Sequence, residues 1–417
     1  MRVLRLTGTT EKKILAQRRG RDRAAETIAL RIIRDVQRRG DAALFAWTQR
    51  FDRVAVDPGN TWISAQEMRD ASRRVSADFL KALKHAARNI RAVARRQKPQ
   101  EWTIEVERGV RASQRVQPIE TVGLYVPSGR FSLVSTLLMT AIPAQEAGVR
   151  KIVVTSPQPG DELLAAANLL GLRQVARVGG AQAVAALAYG TATIPRVDKI
   201  FGPGNRYVTA AKRLVSGDCA IDLLAGPTEA LVFAERGNAR FIAADLLAQT
   251  EQDPEAISLF VTTSPRFARA VATELERQLN QLPKTNPAWR SLAKNGGLLI
   301  ARRVADAVRF VNRFAPEHLS LSGTPAKHAD HLENAGSIFL GDWSAQSFGD
   351  YATGTNHVLP TGGVARSRGG LSTADFVKCI SVQKISRAGC ARLAPIVEQF
   401  AKAEGLQAHG RSVEVRR

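Results

Sequence analysis

Thr121-Val-Gly-Leu-Tyr-Val-Pro-Ser-Gly129 is an apolar run closed by proline, serine and glycine, and its reading decides the fold. A short apolar run that stops at turn formers reads as a buried strand followed by a loop. The same signature recurs at Lys151–Thr155, Gln174–Val178 and Val197–Phe201. Helical periodicity fills the intervals, over Ser135–Ala147, Asp161–Leu170, Ala181–Tyr189 and then Asn205–Val215. Strands alternating with helices are the sequence form of a parallel sheet, because parallel neighbours need a crossover to connect them.

A second series of the same kind follows. Strands are expected at Ala230–Phe233, Ile257–Val261, Gly297–Ala301, Leu319–Leu321 and Ser337–Leu340. Helices are expected between them at Ala239–Gln249, Phe267–Leu279, Val304–Phe314 and Pro325–Asn334. Two doubly wound α/β units result. Upstream, residues 10 to 97 read as helical, with Ile28, Ile32, Ile33 and Val36 forming one apolar stripe and Leu80, Leu83, Ala87 and Ile90 another. Downstream, Leu371 to Arg417 reads as a mainly helical tail. No low-complexity linker separates the units, so tightly packed domains are expected.

The chain of 417 residues is long enough for two or three domains. Its 44% hydrophobic and 24% charged residues are those of an ordinary globular protein. Met1 to Lys13 holds no apolar core of a signal peptide, and no apolar run reaches the roughly 18 residues of a membrane span. Cys219, Cys379 and Cys390 are odd in number and widely spaced, which points to a reducing cytoplasm and away from a disulfide framework. The net charge of +22 would attract nucleic acid or anionic membrane nonspecifically. Its arginines are scattered along amphipathic segments, as at Arg18-Arg19-Gly-Arg21 and Arg73-Arg74, and aromatics are only 6%, so no stacking platform for bases is built. No specific nucleic acid and no membrane are expected as partners.

Ligands of doubly wound sheets bind where loops leave the carboxyl ends of strands. Three glycine-bearing loops fall there: Gly123-Leu-Tyr-Val-Pro-Ser-Gly129, Val178-Gly-Gly-Ala-Gln182 and Phe201-Gly-Pro-Gly-Asn205. Each lets backbone approach a ligand before a helix N-terminus that favours phosphate. None is a G-x-G-x-x-G fingerprint, yet together they suggest a nucleotide site with Tyr125, Gln182 and Asn205 available for stacking and hydrogen bonds.

The chemistry is placed at Asn312-Arg-Phe-Ala-Pro-Glu-His-Leu319. Pro316 fixes a turn, and Glu317 and His318 follow at the edge of an apolar strand. Neighbours on a strand point to opposite faces, so the two are expected to do separate jobs, not to form a hydrogen-bonded dyad. Proton abstraction suits the imidazole and water activation the carboxylate. Gly349-Asp-Tyr-Ala-Thr-Gly-Thr-Asn-His-Val-Leu-Pro-Thr361, lean in large apolar residues, offers Asp350 and His357 on a polar loop. His85, His328 and His331 read as members of solvated helical faces.

The stretches GLYVPSG, VGGAQAVAALAYGT, VDKIFGPGN, AGPTE, APEHL, GDYATGTNHVLPTGG and AEGLQAH occur here in that order. With them the chain resembles the histidinol dehydrogenase family over nearly its full length. The resemblance implies an NAD-dependent, four-electron oxidation of L-histidinol to L-histidine through a bound aldehyde. His318 is then the base for the alcohol, and Glu317 activates water against the aldehyde. Tyr125, Gln182 and Asn205 fall on the family's NAD-contacting positions. Thr228, Gln249, Gln252, Glu317, His318, Asp350, Glu404 and His409 fall on its substrate-contacting positions. The resemblance further implies one Rossmann-like domain (residues 125–228) inserted into another (21–124 and 229–370), an N-terminal arm (1–20) and a tail (371–417) exchanged in a homodimer. Glu404 and His409 then complete the partner's site.

The family's zinc ligands match Gln249, Asp350 and His409, but the fourth position, histidine in the family, is Gln252 here. An amide oxygen is a poor zinc ligand beside an imidazole. Zinc is therefore expected to be held weakly or to be replaced by manganese. Two alternatives stand beside the leading reading: a related dehydrogenase of another amino or sulfonated alcohol, and a noncatalytic basic binding protein. The four residues Glu317, His318, Asp350 and His409 speak against the second.

Overall fold

The computed structural model describes residues 2–18, 22–128, 133–323 and 326–417, the side chains of 326–328 excepted. Gly129 of the first glycine loop, Pro325 at the expected start of a helix, Arg19 and Arg21, and the side chain of His328 lie outside the described residues. The strands of the first half are β1 (Arg2–Arg5), β2 (Trp102–Glu107), β3 (Val110–Pro118), β4 (Thr121–Tyr125), β5 (Lys151–Thr155), β6 (Gln174–Ala176), β7 (Lys199–Phe201) and β8 (Ala220–Ile221). Those of the second are β9 (Glu229–Phe233), β10 (Ile257–Thr262), β11 (Gly296–Ile300), β12 (His318–Leu321), β13 (Ser337–Leu340) and β14 (Val377–Ile385).

Two parallel sheets carry the molecule. One has the order β6-β5-β4-β7-β8, the other β1-β11-β10-β9-β12-β13. Leaving β1 aside, both start in the middle, step out to one edge and return to the other side. Each therefore has a switch point, between β4 and β7 in one and between β9 and β12 in the other. The continuous apolar runs follow from burial on both faces. Adjacent residues Val153 and Val154 of β5 enter different cores, as do Leu259 and Phe260 of β10.

The sequence reading groups residues 21–124 with 229–370; the helices of that stretch pack instead on the β4–β8 sheet. Arg23–Arg39 starts on an Asp22 cap, ends at Gly40, and buries Ala25, Ala29, Ile32, Ile33 and Val36 in the core shared with the helix Gly180–Tyr189. Ala77–Gln97 buries Leu83, Ala87 and Ile90 against the other face, with Leu137 and Leu138. An amphipathic stripe fixes that a face is buried but not which neighbour buries it.

Three further elements differ from the sequence reading. The N-terminal arm begins as a strand, β1, which pairs with β11 and takes backbone partners at an otherwise open edge. The tail is not mainly helical at its start: β14 joins β3 and β2 in a three-stranded antiparallel sheet. The β2 residues Trp102, Ile104 and Val106 alternate with Thr103, Glu105 and Glu107, a period-two signal present in the sequence. The helix expected over Pro325–Asn334 is a short 3-10 turn, Ala326–His331. Beyond β14, the helices Arg387–Ala403 and Gln407–Glu414 pack mostly on each other. Trp102, Val106, Ile380, Phe400 and Val415 stay exposed on this outlying module.

Candidate active site

A cavity of about 1450 Å³ lies between the carboxyl ends of β4, β6 and β7 and the amino ends of β9 and β12. The glycine loops thus obey the carboxyl-end rule in their own sheet. Glu317 and His318 do not, since they stand where β12 begins. Opposite strand ends of the two sheets face one another across the cavity.

At the loop end, Tyr125, Gln182 and Asn205 line the wall. The Tyr125 hydroxyl accepts a hydrogen bond from the Gly180 N–H (3.3 Å), and burial pushes its pKa up to about 12. Gly202, at φ +107°, brings its Cα against the Tyr125 carbonyl, where any Cβ would collide. Asn205 caps the helix Arg206–Val215, its Oδ1 accepting from Tyr207 N (2.9 Å) and Val208 N (3.1 Å). Gln182 donates Nε2 to Asp52 (3.1 Å), while its buried Oε1 has no partner among the described residues. Asp52, at the end of the helix Asp41–Asp52, was not singled out by sequence; a lone acid at a helix end carries no signal. Burial pushes its carboxyl up to about 6.

At the other end the imidazole of His318 is buried and stacked on Phe339, with ring centroids 6.0 Å apart. Its Nδ1 is 3.7 Å from Glu317 Oε2, and its Nε2 is 3.5 Å from Asp350 Oδ1. Both distances exceed those of good hydrogen bonds, and among the described residues neither ring nitrogen has a hydrogen-bond partner. The expectation of opposite faces fails here. Glu317 precedes the first residue of β12, and Ala315 takes a left-handed φ of 47°, so both side chains turn toward the cavity.

Burial pushes the Glu317 carboxyl up to about 7, against the nearby imidazole and the Glu229 N–H, which donates to its Oε2 at 2.9 Å. For His318, burial favours the neutral ring, but the carboxylates of Glu317 and Asp350 outweigh it and hold its pKa above the usual value. For Asp350, burial is outweighed by His318, His357 and the Gln249 amide, and its pKa lies below the ordinary one. Burial lowers His357, whose Nδ1 lies 2.8 Å from the Asp350 carbonyl oxygen. A carboxyl whose pKa lies near 7 can act as a base, and an imidazole set between two carboxylates can accept a proton.

Asp350 sits on the short helix Gln346–Tyr351, with His357 on the loop after it. A chain of hydrogen bonds leads away from Asp350. Gln249 Nε2 donates to Asp350 Oδ2 (3.0 Å), Gln252 Nε2 to Gln249 Oε1 (3.3 Å), and Thr228 Oγ1 to Gln252 Oε1 (3.2 Å). Thr228, Gln252 and Asp350 line the cavity, and Gln249 stands behind them. Among the described residues no group of three or more His, Cys, Asp and Glu is arranged to hold a metal ion. Asp350, Gln249 and Gln252 stand in a row, so a metal here would be offered one carboxylate and two amide oxygens, without zinc's preferred imidazole or thiolate. Glu404 and His409 are exposed on the tail and do not line this cavity. Glu229, in the AGPTE stretch, opens β9 as a buried acid, and its sequence alone gives it no role.

Residues 15–417 match the sequence model of histidinol dehydrogenase. The histidinol dehydrogenase of Geobacter sulfurreducens is 45% identical over 410 residues, covering 97% of this chain and 96% of that protein. That of Vibrio parahaemolyticus is 47% identical over 391 residues, covering 92% and 90%. The crystal structure of histidinol dehydrogenase from Elizabethkingia anophelis superposes with a TM-score of 0.94 at 36% identity, covering 99% of this chain and 96% of that one.

Proposed function

The chain belongs to the histidinol dehydrogenase family, NAD- and zinc-dependent oxidoreductases of histidine biosynthesis, and on that premise we propose how its residues divide the reaction. The substrate is L-histidinol. The observation that carries the assignment is the His318 ring, buried, without a hydrogen-bond partner among the described residues, and set between Glu317 and Asp350 in the cavity that the glycine loops also line.

In the first half His318 takes the proton of the substrate hydroxyl as the carbinol carbon gives up a hydride. In the second half Glu317 takes a proton from water, the water oxygen bonds to the aldehyde carbon, and that carbon gives up a second hydride. NAD, when bound, accepts the hydride in each half, so one alcohol, one water and two NAD yield one carboxylate, two NADH and three protons. Tyr125, Gln182 and Asn205 hold the cofactor; the apolar wall, the close backbone at Gly202 and the unpartnered Gln182 Oε1 fit a nucleotide there. Thr228 holds the substrate beside the base.

Gln249, Gln252 and Asp350, with His409 of the partner subunit, would hold the metal, which when bound supplies a fixed positive charge that orients substrate heteroatoms. Support for the shared site is the exposed position of Glu404 and His409 on a tail that leaves large apolar side chains uncovered. A homodimer that exchanges residues 371–417 both covers that surface and brings the two residues to a cavity. The test is stoichiometry: purified protein given L-histidinol should form two NADH for each histidine and should restore growth to a histidine auxotroph lacking this step. One NADH per substrate, with aldehyde released, would overturn the assignment.

A further inference from the structure

Behind Glu317, off the cavity wall, Arg18 and Glu229 form an ion pair with each side chain only 4% exposed. Arg18 Nε donates to Glu229 Oε1 (2.8 Å), and a terminal nitrogen of the same guanidinium also pairs with Oε2. The remaining donors reach the carbonyl oxygens of Phe314 and, at 3.3 Å, Ala315. Those carbonyls end the helix Val304–Phe314 and lack intrahelical partners, so a guanidinium there caps the helix. It also lies 3.9 Å from the centroid of the Phe314 ring. Ala315 occupies the left-handed region without being glycine, a conformation held only where its surroundings dictate it. Glu317 follows two residues later.

Glu229 reaches the same carboxylate from the other side. Its N–H donates to Glu317 Oε2 (2.9 Å), while its own Oε1 accepts from Gly362 N (3.1 Å) as well as from Arg18. His318 pairs in the strand with Ala230 and Ser337, and Ser337 N also donates to the Glu317 carbonyl (2.9 Å). The two residues share this backbone support, and the Glu229 N–H adds a contact to the Glu317 carboxylate itself.

We propose that Arg18 and Glu229 are a positioning pair that sets the Glu317 carboxylate for the aldehyde half of the reaction; this rests on the reading of Glu317 given above. Neither touches substrate. A forked cation is needed because two carbonyls and a carboxylate are bound at once, which an ammonium cannot match in geometry.

The test uses full-length Arg18→Lys and Glu229→Gln beside Glu317→Gln, with alcohol and aldehyde supplied separately. A misplacement of about an ångström costs up to about 100-fold in rate. Arg18→Lys should therefore lower kcat for the aldehyde about 10- to 100-fold, with KM little changed and the alcohol half close to wild type. Equal loss in both halves, or none in either, overturns the proposal. Should Arg18→Lys give no folded protein, Arg18→Met/Glu229→Met, which leaves no lone buried charge, carries the same comparison. If Glu317→Gln itself spares aldehyde oxidation, the role of Glu317 falls, and the positioning claim with it.

Discussion

Replacing Glu317 by glutamine should make the protein slower and more stable at once. Glu317 is 7% exposed and its pKa is pushed from 4.5 to about 7. The folded state therefore holds this proton more tightly than the unfolded chain does. As pH rises from 4.5 to 7 the unfolded chain ionises first, so stability falls across that window and levels off above it. At about 1.4 kcal/mol per pH unit, the ionised carboxylate costs the fold about 3 kcal/mol at pH 8. Glutamine keeps the size and an oxygen for the Glu229 N–H but carries no charge. Urea denaturation at pH 4 should find Glu317→Gln and wild type alike, and at pH 8 the variant should gain stability approaching that figure. Oxidation of histidinal should fall about 10²–10⁴-fold, the usual worth of a general base. In the wild type that half-reaction should climb with pH through about 7, with about one-tenth of its plateau left at pH 6. A variant no more stable at pH 8 than at pH 4 relative to wild type would refute the burial argument.

Gln252→His restores an imidazole beside Asp350 and Gln249; it should tighten zinc about 10- to 100-fold, read by competition with a chelator, and unchanged affinity would place this residue outside the metal shell. Ending the chain after Ser386 removes both tail helices but spares Phe376, which stacks on Phe201 at 3.9 Å in the core. That protein should stay folded, sediment as a monomer and lack turnover, whereas an active monomer would exclude the exchanged tail.

Legibility in the sequence followed what each residue type can report. The apolar runs at Val153–Thr155 and Leu259–Val261 announced buried parallel strands because both faces are covered, and the glycine loops named their own strand ends. β1 was illegible: Arg2-Val-Leu-Arg5 is exposed, and it is a strand only because β11 leaves an edge to pair with. Within the site, Pro316-Glu317-His318 declared chemistry by its composition. The left-handed Ala315 that turns both side chains inward, and the Arg18 that lies 297 residues away along the chain, are tertiary facts with no local pattern. Asp52 and Glu229 were hidden for the same reason, since a single acid becomes informative only once its burial is known.

The division of labour between the two bases is most directly tested by His318→Asn given histidinal in place of histidinol. Because Glu317 alone is assigned to the water, the variant should oxidise the aldehyde at nearly the wild-type rate while its alcohol oxidation drops about 10²–10⁴-fold. An equal defect with both substrates would contradict the account.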